Sequence, residues 1–484
     1  MDLTFKKLSV VRNVSLIFFS ALITQSSILI LYVILARILS IEDFATFRQL
    51  FLLQAILSGV FFGALPTCLL YFSGRTDSED EKKRYLQVVV ALTIATALLL
   101  SILMFFSRDS ISVAFSNEQI KEVLPYFSLS PLGILMIALM PSCHVAMDRV
   151  AIQPYLASLI AAFVAIPCMV IAFGGATLIE IVRLISILYF MVGVGLSLLM
   201  LLIYGAVTNK ASDIRLKIRQ VLVYAWPLLA ASAISIVGLK IDHLIIASLL
   251  GTFAYGLYSV GAFEIPIFNI LQNSVTSVLM PKITTLIKEN SFEDASNLWR
   301  TAAHRTASFT FPIALILMVN SDEIISLLFG DKYKDASIVF ILFSSLAFVR
   351  VITFGMALRA LNKNHIELMI TLIYLVCGLL GSYCMASAFG MYGAAVWVIV
   401  NTIFMSVLLS ISTHRLTTGR LALWKVYPFK HLILALMLFV LTCLTEDRTI
   451  RAFGESWLVS IFHGILIILC WLIFLRHFYR EKSA

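Results

Sequence analysis

Apolar stretches of about 20 or more residues recur along the whole chain, and only short polar loops separate them. A hydrocarbon core about 30 Å thick needs about 20 helical residues per crossing. In lipid, every backbone N–H and C=O must also find its partner within the protein. The pattern therefore predicts an all-α integral membrane protein with 14 transmembrane helices. The predicted spans are 13–39, 44–72, 85–107, 124–147, 153–174, 179–206, 222–250, 254–285, 302–328, 336–361, 366–388, 391–414, 429–445 and 456–476. Two cytoplasmic segments, 207–221 and 286–300, mix apolar and basic residues and read as short interfacial helices.

The polar punctuation repeats. ILARILSIEDFATF (34–47) aligns with IIASLLGTFAYGLY (245–258) at an offset of 211. FSNEQIKEVLPYFSLSPL (115–132) aligns with FGDKYKDASIVFILFSSL (329–346) at an offset of 214, and the same register carries Met147-Asp148-Arg149 onto Leu361-Asn362-Lys363. Six spans per copy is an even number, so both copies share one orientation, as in parallel repeats. The chain divides into an N-lobe (1–206), a linker (207–221), a C-lobe (222–415) and an accessory pair of helices (416–484) outside the duplication. Pro66 and Pro281 are read as ending helices 2 and 8, Pro227 as starting helix 7, and Pro266 as a bend within helix 8.

Charge fixes the orientation. With the N-terminus inside, 25 of the 36 Lys and Arg residues fall on the inner side, nine on the outer side and two within spans. The positive-inside rule then sets both termini in the cytoplasm. The +9 net charge sits in loops that flank the membrane, so it does not point to nucleic acid. Charged residues make up 13% of the chain against 61% hydrophobic, with a mean hydropathy of +0.98. A soluble domain carries about 25% charged residues. The seven cysteines lie within or beside apolar stretches with no CxxC pair, and read as small buried hydrophobes. The basic N-terminus leads into a first helix that reads as retained, with no cleavage site after a short apolar core.

The two helix–turn–helix segments above carry a resemblance, together with LKIDHLIIASLLG (239–251), the LFG-Asp of 328–331 and the Asn-Lys-Asn turn of 362–364. Over about 1–415 the chain resembles the polysaccharide-export (Wzx-type) flippases of the multidrug/oligosaccharidyl-lipid/polysaccharide exporter superfamily. The first copy departs from the pattern, with Ser40 and Ala45 where glycine is usual. The resemblance implies a flippase that moves an undecaprenyl-diphosphate-linked oligosaccharide between leaflets of the bacterial inner membrane, for O-antigen or other lipopolysaccharide and polysaccharide biosynthesis. It also implies two six-helix lobes that rock about a cavity lined largely by helices 1, 2, 7 and 8. The implied partners are the lipid-linked oligosaccharide, membrane lipids and polysaccharide polymerase machinery, with H+ or Na+ as coupling ion.

Charges within a bilayer are costly and face a cavity or a partner. The set here is small: Lys240 and Asp242 on helix 7, Glu264 on helix 8 and Arg350 near the middle of helix 10. Lys240 and Asp242, two apart, point to nearly opposite sides of their helix, and Glu264 is a partner for Lys240 across the hairpin. On the functional reading, Lys240 and Arg350 hold the diphosphate or acidic sugars, since arginine's fork suits phosphate and lysine acts as a point charge. Asp242 and Glu264 are then the coupling groups. The alternative is an ion-pair network that ties helices together. Arg37 and Arg48 flank the first outward turn and extend the substrate-binding set, or snorkel to the interface. Glu180 and Arg183 read as a surface pair. Arg359 and Lys363 read as inner-side anchors.

No Walker loop, GxSxG or HExxH is present, and the sequence implies no cofactor. A membrane glycosyltransferase or polymerase would carry a long outer loop with clustered Arg, His or acidic residues, and the longest outer loop here is 108–123 without such a cluster. The reading is therefore a transporter rather than an enzyme. A multidrug or cation extruder and a lipid II flippase of the same superfamily remain as alternatives.

Overall fold

The computed structural model describes residues 2–76, 78–204, 211–263, 266–453 and 456–483. Among these the chain is helical throughout, with no strand. It forms two compact units, Met1–Gly256 and Leu257–Ala484. The first contains α1 (Asp2–Ile38), α2 (Ile41–Phe61), α3 (Leu65–Ser73), α4 (Glu79–Phe106), α5 (Arg108–Ala114), α6 (Gln119–Phe127) and α7 (Pro131–Ala146). These are followed by α8 (Gln153–Phe173), α9 (Leu178–Tyr204) and α10 (Ala211–Leu249), and α11 (Gly251–Gly261) starts at its end.

Helix α10 explains where this unit ends. It packs along α2 and also touches α3 and α4. Small residues permit the approach: a Cβ on Gly59 would come within 2.3 Å of Ile236, and one on Gly63 within 2.1 Å of the Ser232 hydroxyl. Gly59 in the last turns of α2 and Gly63 just beyond its end are four apart, the spacing by which membrane helices bring their backbones together. At the other end of α10, Lys217 is 6% exposed. It reaches Glu81 at 3.5 Å and lies 4.2 Å from the Tyr85 ring centroid. Residues 211–221 are thus the first turns of α10 rather than a separate interfacial helix. Packing divides the chain after Gly256, whereas the sequence leads to the expectation of a division at 207–221.

The second unit contains α12 (Pro266–Lys288), α13 (Phe292–Val319), α14 (Ser321–Phe329), α15 (Ser337–Val349), α16 (Met356–Ala360) and α17 (Asn364–Leu416). The short α18 (Leu423–Val426) precedes the hairpin of α19 (Phe429–Phe453) and α20 (Ser456–Ser483). The 286–300 segment is likewise no interfacial helix. Trp299 lies inside α13 and is buried in the core with Phe311, Phe348 and Trp471.

Nine described helices are long and apolar enough to cross a membrane, or ten if the bent pair α6–α7 counts as one span. Breaks account for part of the difference from fourteen. Helix α17 runs 53 residues and holds two predicted spans joined at Gly390, whose φ of 63° is non-helical. Helices α6 and α7 meet at 54°, and α15 is only 13 residues long. The prolines also act differently from their sequence reading. Pro66 opens α3, Pro266 opens α12, and Pro227 and Pro281 lie inside α10 and α12.

The turns echo the repeat. Left-handed residues stand 214 or 215 positions apart in three pairs: Ser116 and Gly330, Asp148 and Asn362, Gly175 and Gly390. The Asp148 and Asn362 turns share their hydrogen bonds as well, from Arg149 N to His144 O and from Lys363 N to Leu358 O, each 2.8 Å. At the first outward turn the two copies differ. Ser40 stays extended and its hydroxyl accepts from Asp43 N at 3.0 Å, whereas Gly251 turns left-handed.

The C-terminal hairpin docks on α13 through buried imidazoles. Ser308 Oγ donates to the His304 carbonyl at 2.8 Å. His431 Nε2 lies 3.2 Å from the same oxygen and therefore donates to it. That leaves His431 Nδ1 as the acceptor of the 3.3 Å contact from His304 Nδ1. Trp471 Nε1 donates to the Ser308 carbonyl at 2.9 Å. Replacing His431 by Phe leaves the His304 donor buried without this acceptor, at a cost of about 1–3 kcal/mol. The expected result is faster maleimide labelling of Cys470 in a chain whose other cysteines are replaced.

Candidate functional site

Two polar clusters lie within the apolar helices, one in each unit. In the second unit the sequence reads a single span over 336–361, but the helix stops at Val349 and resumes at Met356. Non-helical backbone at membrane depth persists only where protein buries it or a cavity solvates it. Here it borders a cavity. Arg350 sits at the break, where its N–H bonds the Leu346 carbonyl at 2.9 Å. It lines the cavity with Asn269, Gln272, Thr306, Thr310 and Ser344. One guanidinium among uncharged amides matches an oxyanion, since arginine offers a planar fork and the amides add neutral N–H donors, whereas the Thr306 and Thr310 hydroxyls already donate to the Ala302 and Thr306 carbonyls. The cavity is about 40 Å³. That admits a water or an anionic substituent and excludes a sugar ring. Beside it, Thr276 and Thr353 share a 2.7 Å hydroxyl bond, and Gln272 borders both spaces.

In the first unit Tyr255 is 1% exposed. Its ring meets His243 edge-on at 6.0 Å. Arg48 lies over the face of Tyr32, 4.5 Å from the ring centroid. Asp242 and His243 are 4% and 5% exposed, while Lys240, two residues earlier, is half-buried. That contrast follows from the roughly 200° turn between positions i and i+2 of a helix. Of the sequence-derived set, Asp242 is buried and Arg48 packs on Tyr32 in the first unit, and Arg350 lines the cavity of the second. Arg37 is exposed in the last turn of α1. Glu264 lies outside the described residues, and with it the expected pairing to Lys240.

Sequence reasoning misses a neutral network at the first outward turn. Asn117 Nδ2 donates to Gln49 Oε1 at 2.6 Å and to Thr46 Oγ1 at 2.8 Å. Gln119 accepts from Thr46 Oγ1 at 2.8 Å and donates to Asp43 Oδ1 at 3.0 Å. The left-handed Ser116 presents its hydroxyl to the Ser248 carbonyl at 3.0 Å. This loop thus ties α2 to the outer end of α10. Glu180 and Arg183 do not form the expected surface pair. Glu180 caps α9 by accepting from Thr177 N at 2.8 Å, and Arg183 donates to the Tyr126 hydroxyl at 3.1 Å. Arg359 holds Glu367 bidentately, at 2.6 Å in its shortest contact, and so clamps α16 to α17. Among the described residues no group of three His, Cys, Asp or Glu side chains forms a metal site.

The described helices have the fold of solved membrane transporters. The lipid II flippase MurJ, in its inward closed conformation, matches with a TM-score of 0.71 at 17% identity, over 98% of this chain and 100% of that one. The MATE transporter VcmN of Vibrio cholerae, in a point-mutant form, matches with a TM-score of 0.59 at 16% identity, over 85% and 97%. Residues 34–338 match the polysaccharide biosynthesis protein family, and the chain belongs to that family. The capsular polysaccharide biosynthesis protein CapF of Staphylococcus aureus is 24% identical over 187 residues, 38% of this chain and 47% of that protein. The probable low-salt glycan biosynthesis flippase Agl15 of Haloferax volcanii is 28% identical over 145 residues, 28% and 30%. The chain thus aligns with less than half the length of either curated relative.

Proposed function

We propose that the protein is a flippase that moves an undecaprenyl-diphosphate-linked oligosaccharide from the cytoplasmic to the periplasmic leaflet of the bacterial inner membrane, with both termini in the cytoplasm. Alternating access between six-helix lobes carries the headgroup, while the prenyl tail stays in lipid. The observation that carries this reading is Arg350 at the break between α15 and α16, set among uncharged hydrogen-bonding side chains. Family membership and the likeness to proteins named as flippases support it. Arg350 contacts the diphosphate or an acidic sugar, with Lys240, Arg37 and Arg48 as further cations along the path. The span count of 14, the lobe boundaries at 207–221 and 416, and a link to polymerase machinery belong to the same proposal.

Asp242 and Glu264 are the proposed coupling groups for H+ or Na+. The burial of Asp242 beside His243 and Tyr255 supports its part. Asp242→Asn keeps the shape and removes the titratable charge. The expected result is transport that proceeds down a substrate gradient but no longer responds to a pH gradient. Unchanged gradient dependence assigns coupling elsewhere.

Binding separates the readings within the superfamily. A ligand at about 100 times its Kd stabilises the folded state by about 2.7 kcal/mol. Purified protein is expected to show a raised Tm with undecaprenyl-diphosphate oligosaccharide and little change with lipid II or with a cationic dye. Stabilisation by lipid II alone, or by the dye alone, replaces this reading with a lipid II flippase or an extruder.

A further inference from the structure

The first unit encloses a second and larger space that the proposed headgroup site does not use. It measures about 390 Å³ and lies among α1, α7 and α8. Protein interiors seldom leave a void larger than a water, whereas ligand sites run from about 300 to 1,000 Å³ and are mostly apolar with a few placed polar groups. The wall is of that kind. Ile28, Leu31, Ile137 and Ile160 supply apolar surface, and Tyr32, Phe51 and Tyr189 close one end, with ring centroids 6.1 and 6.5 Å apart in sequence. No charged side chain lines it among the described residues.

The polar groups on the wall select the ligand. Thr24 donates to the Ser20 carbonyl at 2.9 Å, and Ser27 to the Ile23 carbonyl at 2.8 Å. Both hydroxyl hydrogens are thereby committed to the helix, and the oxygens remain as acceptors. Pro141 has no N–H for the Ile137 carbonyl, which adds a third acceptor. Gln153 is the complement. Its amide oxygen accepts from His144 Nδ1, so its NH2 is a donor on this wall, alongside the Gln25 amide and the Tyr32 and Tyr189 hydroxyls.

A ligand here must both donate and accept a hydrogen bond and carry a long apolar body. A carboxylate or phosphate has no proton to donate and meets no cation on the wall. A cationic amphiphile likewise meets no carboxylate on the wall, so its charge would be buried unpaired. An alcohol satisfies both demands. We infer that this cavity binds an uncharged single-chain lipid with a terminal hydroxyl, its chain among the isoleucines and its hydroxyl among Thr24, Ser27 and Gln153.

The test uses the full chain in nanodiscs with four diazirine probes of matched length: hexadecanol, palmitate, hexadecyltrimethylammonium and hexadecane. Hexadecanol is expected to label peptides from 20–32, 134–141 and 153–165 at least ten-fold above the other three. Stronger competition by unlabelled farnesol than by unlabelled hexadecanol assigns an isoprenoid source, and the reverse assigns a linear one. Ala161→Trp fills the space and is expected to abolish this labelling. Ser27→Val, of nearly equal size, is expected to lower hexadecanol labelling about five-fold without changing the hexadecane background. Equal labelling by all four probes, or labelling insensitive to both substitutions, reduces the site to ordinary bilayer contact and overturns the inference.

Discussion

Arg350→Ala is expected to lower the flipping rate by about 10- to 100-fold while leaving yield and Tm near those of the parent chain. The side chain is half-buried on a cavity wall, and its backbone bond to Leu346 survives the substitution. What is lost is a charge-assisted hydrogen bond to an oxyanion, worth about 1.5–3 kcal/mol, and each 1.4 kcal/mol is about ten-fold. Arg350→Lys separates charge from geometry. Lysine keeps the positive charge and loses the planar fork, so an intermediate rate is expected. Full activity in Arg350→Ala refutes the headgroup assignment. A collapse of Tm in both variants makes the residue a structural tie between helices.

Gly133→Val is expected to prevent the first unit from assembling. A Cβ at Gly133 falls 2.0 Å from the Tyr189 carbonyl oxygen. Gly193 on α9 presses back, its own Cβ position lying 2.7 Å from Gly133 N. Both obstacles are backbone, so no side-chain rotation relieves them. Overpacking ordinarily costs about 1–3 kcal/mol where neighbours can shift. Here two helices must separate, and in a bilayer close contact is itself what holds them together. A larger cost consumes much of a total stability of about 5–15 kcal/mol. The measurement is the yield of monodisperse protein extracted from the membrane. Gly195→Val on α9 is the control, because nothing lies within 4 Å of its Cβ position. Equal yields from the two variants contradict the packing account.

The hydrophobic pattern shows the membrane class and most helix positions, because apolar length is what a bilayer demands. The turns of the repeat are also legible. Asp148 and Asn362 are residues that tolerate a left-handed backbone, and both adopt it. The break at Arg350 is not legible. Val351, Ile352, Thr353 and Phe354 continue the apolar run, and hydropathy does not distinguish a helix from a loop that packed neighbours support. Breaks likewise shorten the set of helices long enough to span. Burial of Lys217 and Trp299 is hidden for a related reason. Basic and aromatic residues at an apolar boundary look interfacial until Lys217 is seen against Tyr85 and Trp299 within the core of the second unit.

The site is half readable. Charges stand out against a hydrocarbon background, so Arg48, Asp242 and Arg350 are visible in the sequence. Tyr255, buried against His243, looks like any aromatic at a helix end. The neutral Asn117–Gln49–Thr46 network carries no charge signal. Glu180 and Arg183 show how spacing misleads: each has a nearer partner, in Thr177 and Tyr126.

The central claim is movement of a lipid-linked glycan, and one measurement addresses it most directly. Purified protein in proteoliposomes is given a fluorescent undecaprenyl-diphosphate oligosaccharide, and headgroup protection from an external quencher is followed with and without a pH gradient. The account predicts loss of protection that depends on the protein and is slowed by Arg350→Ala. Protection that persists, while the same vesicles take up a cationic dye, contradicts it.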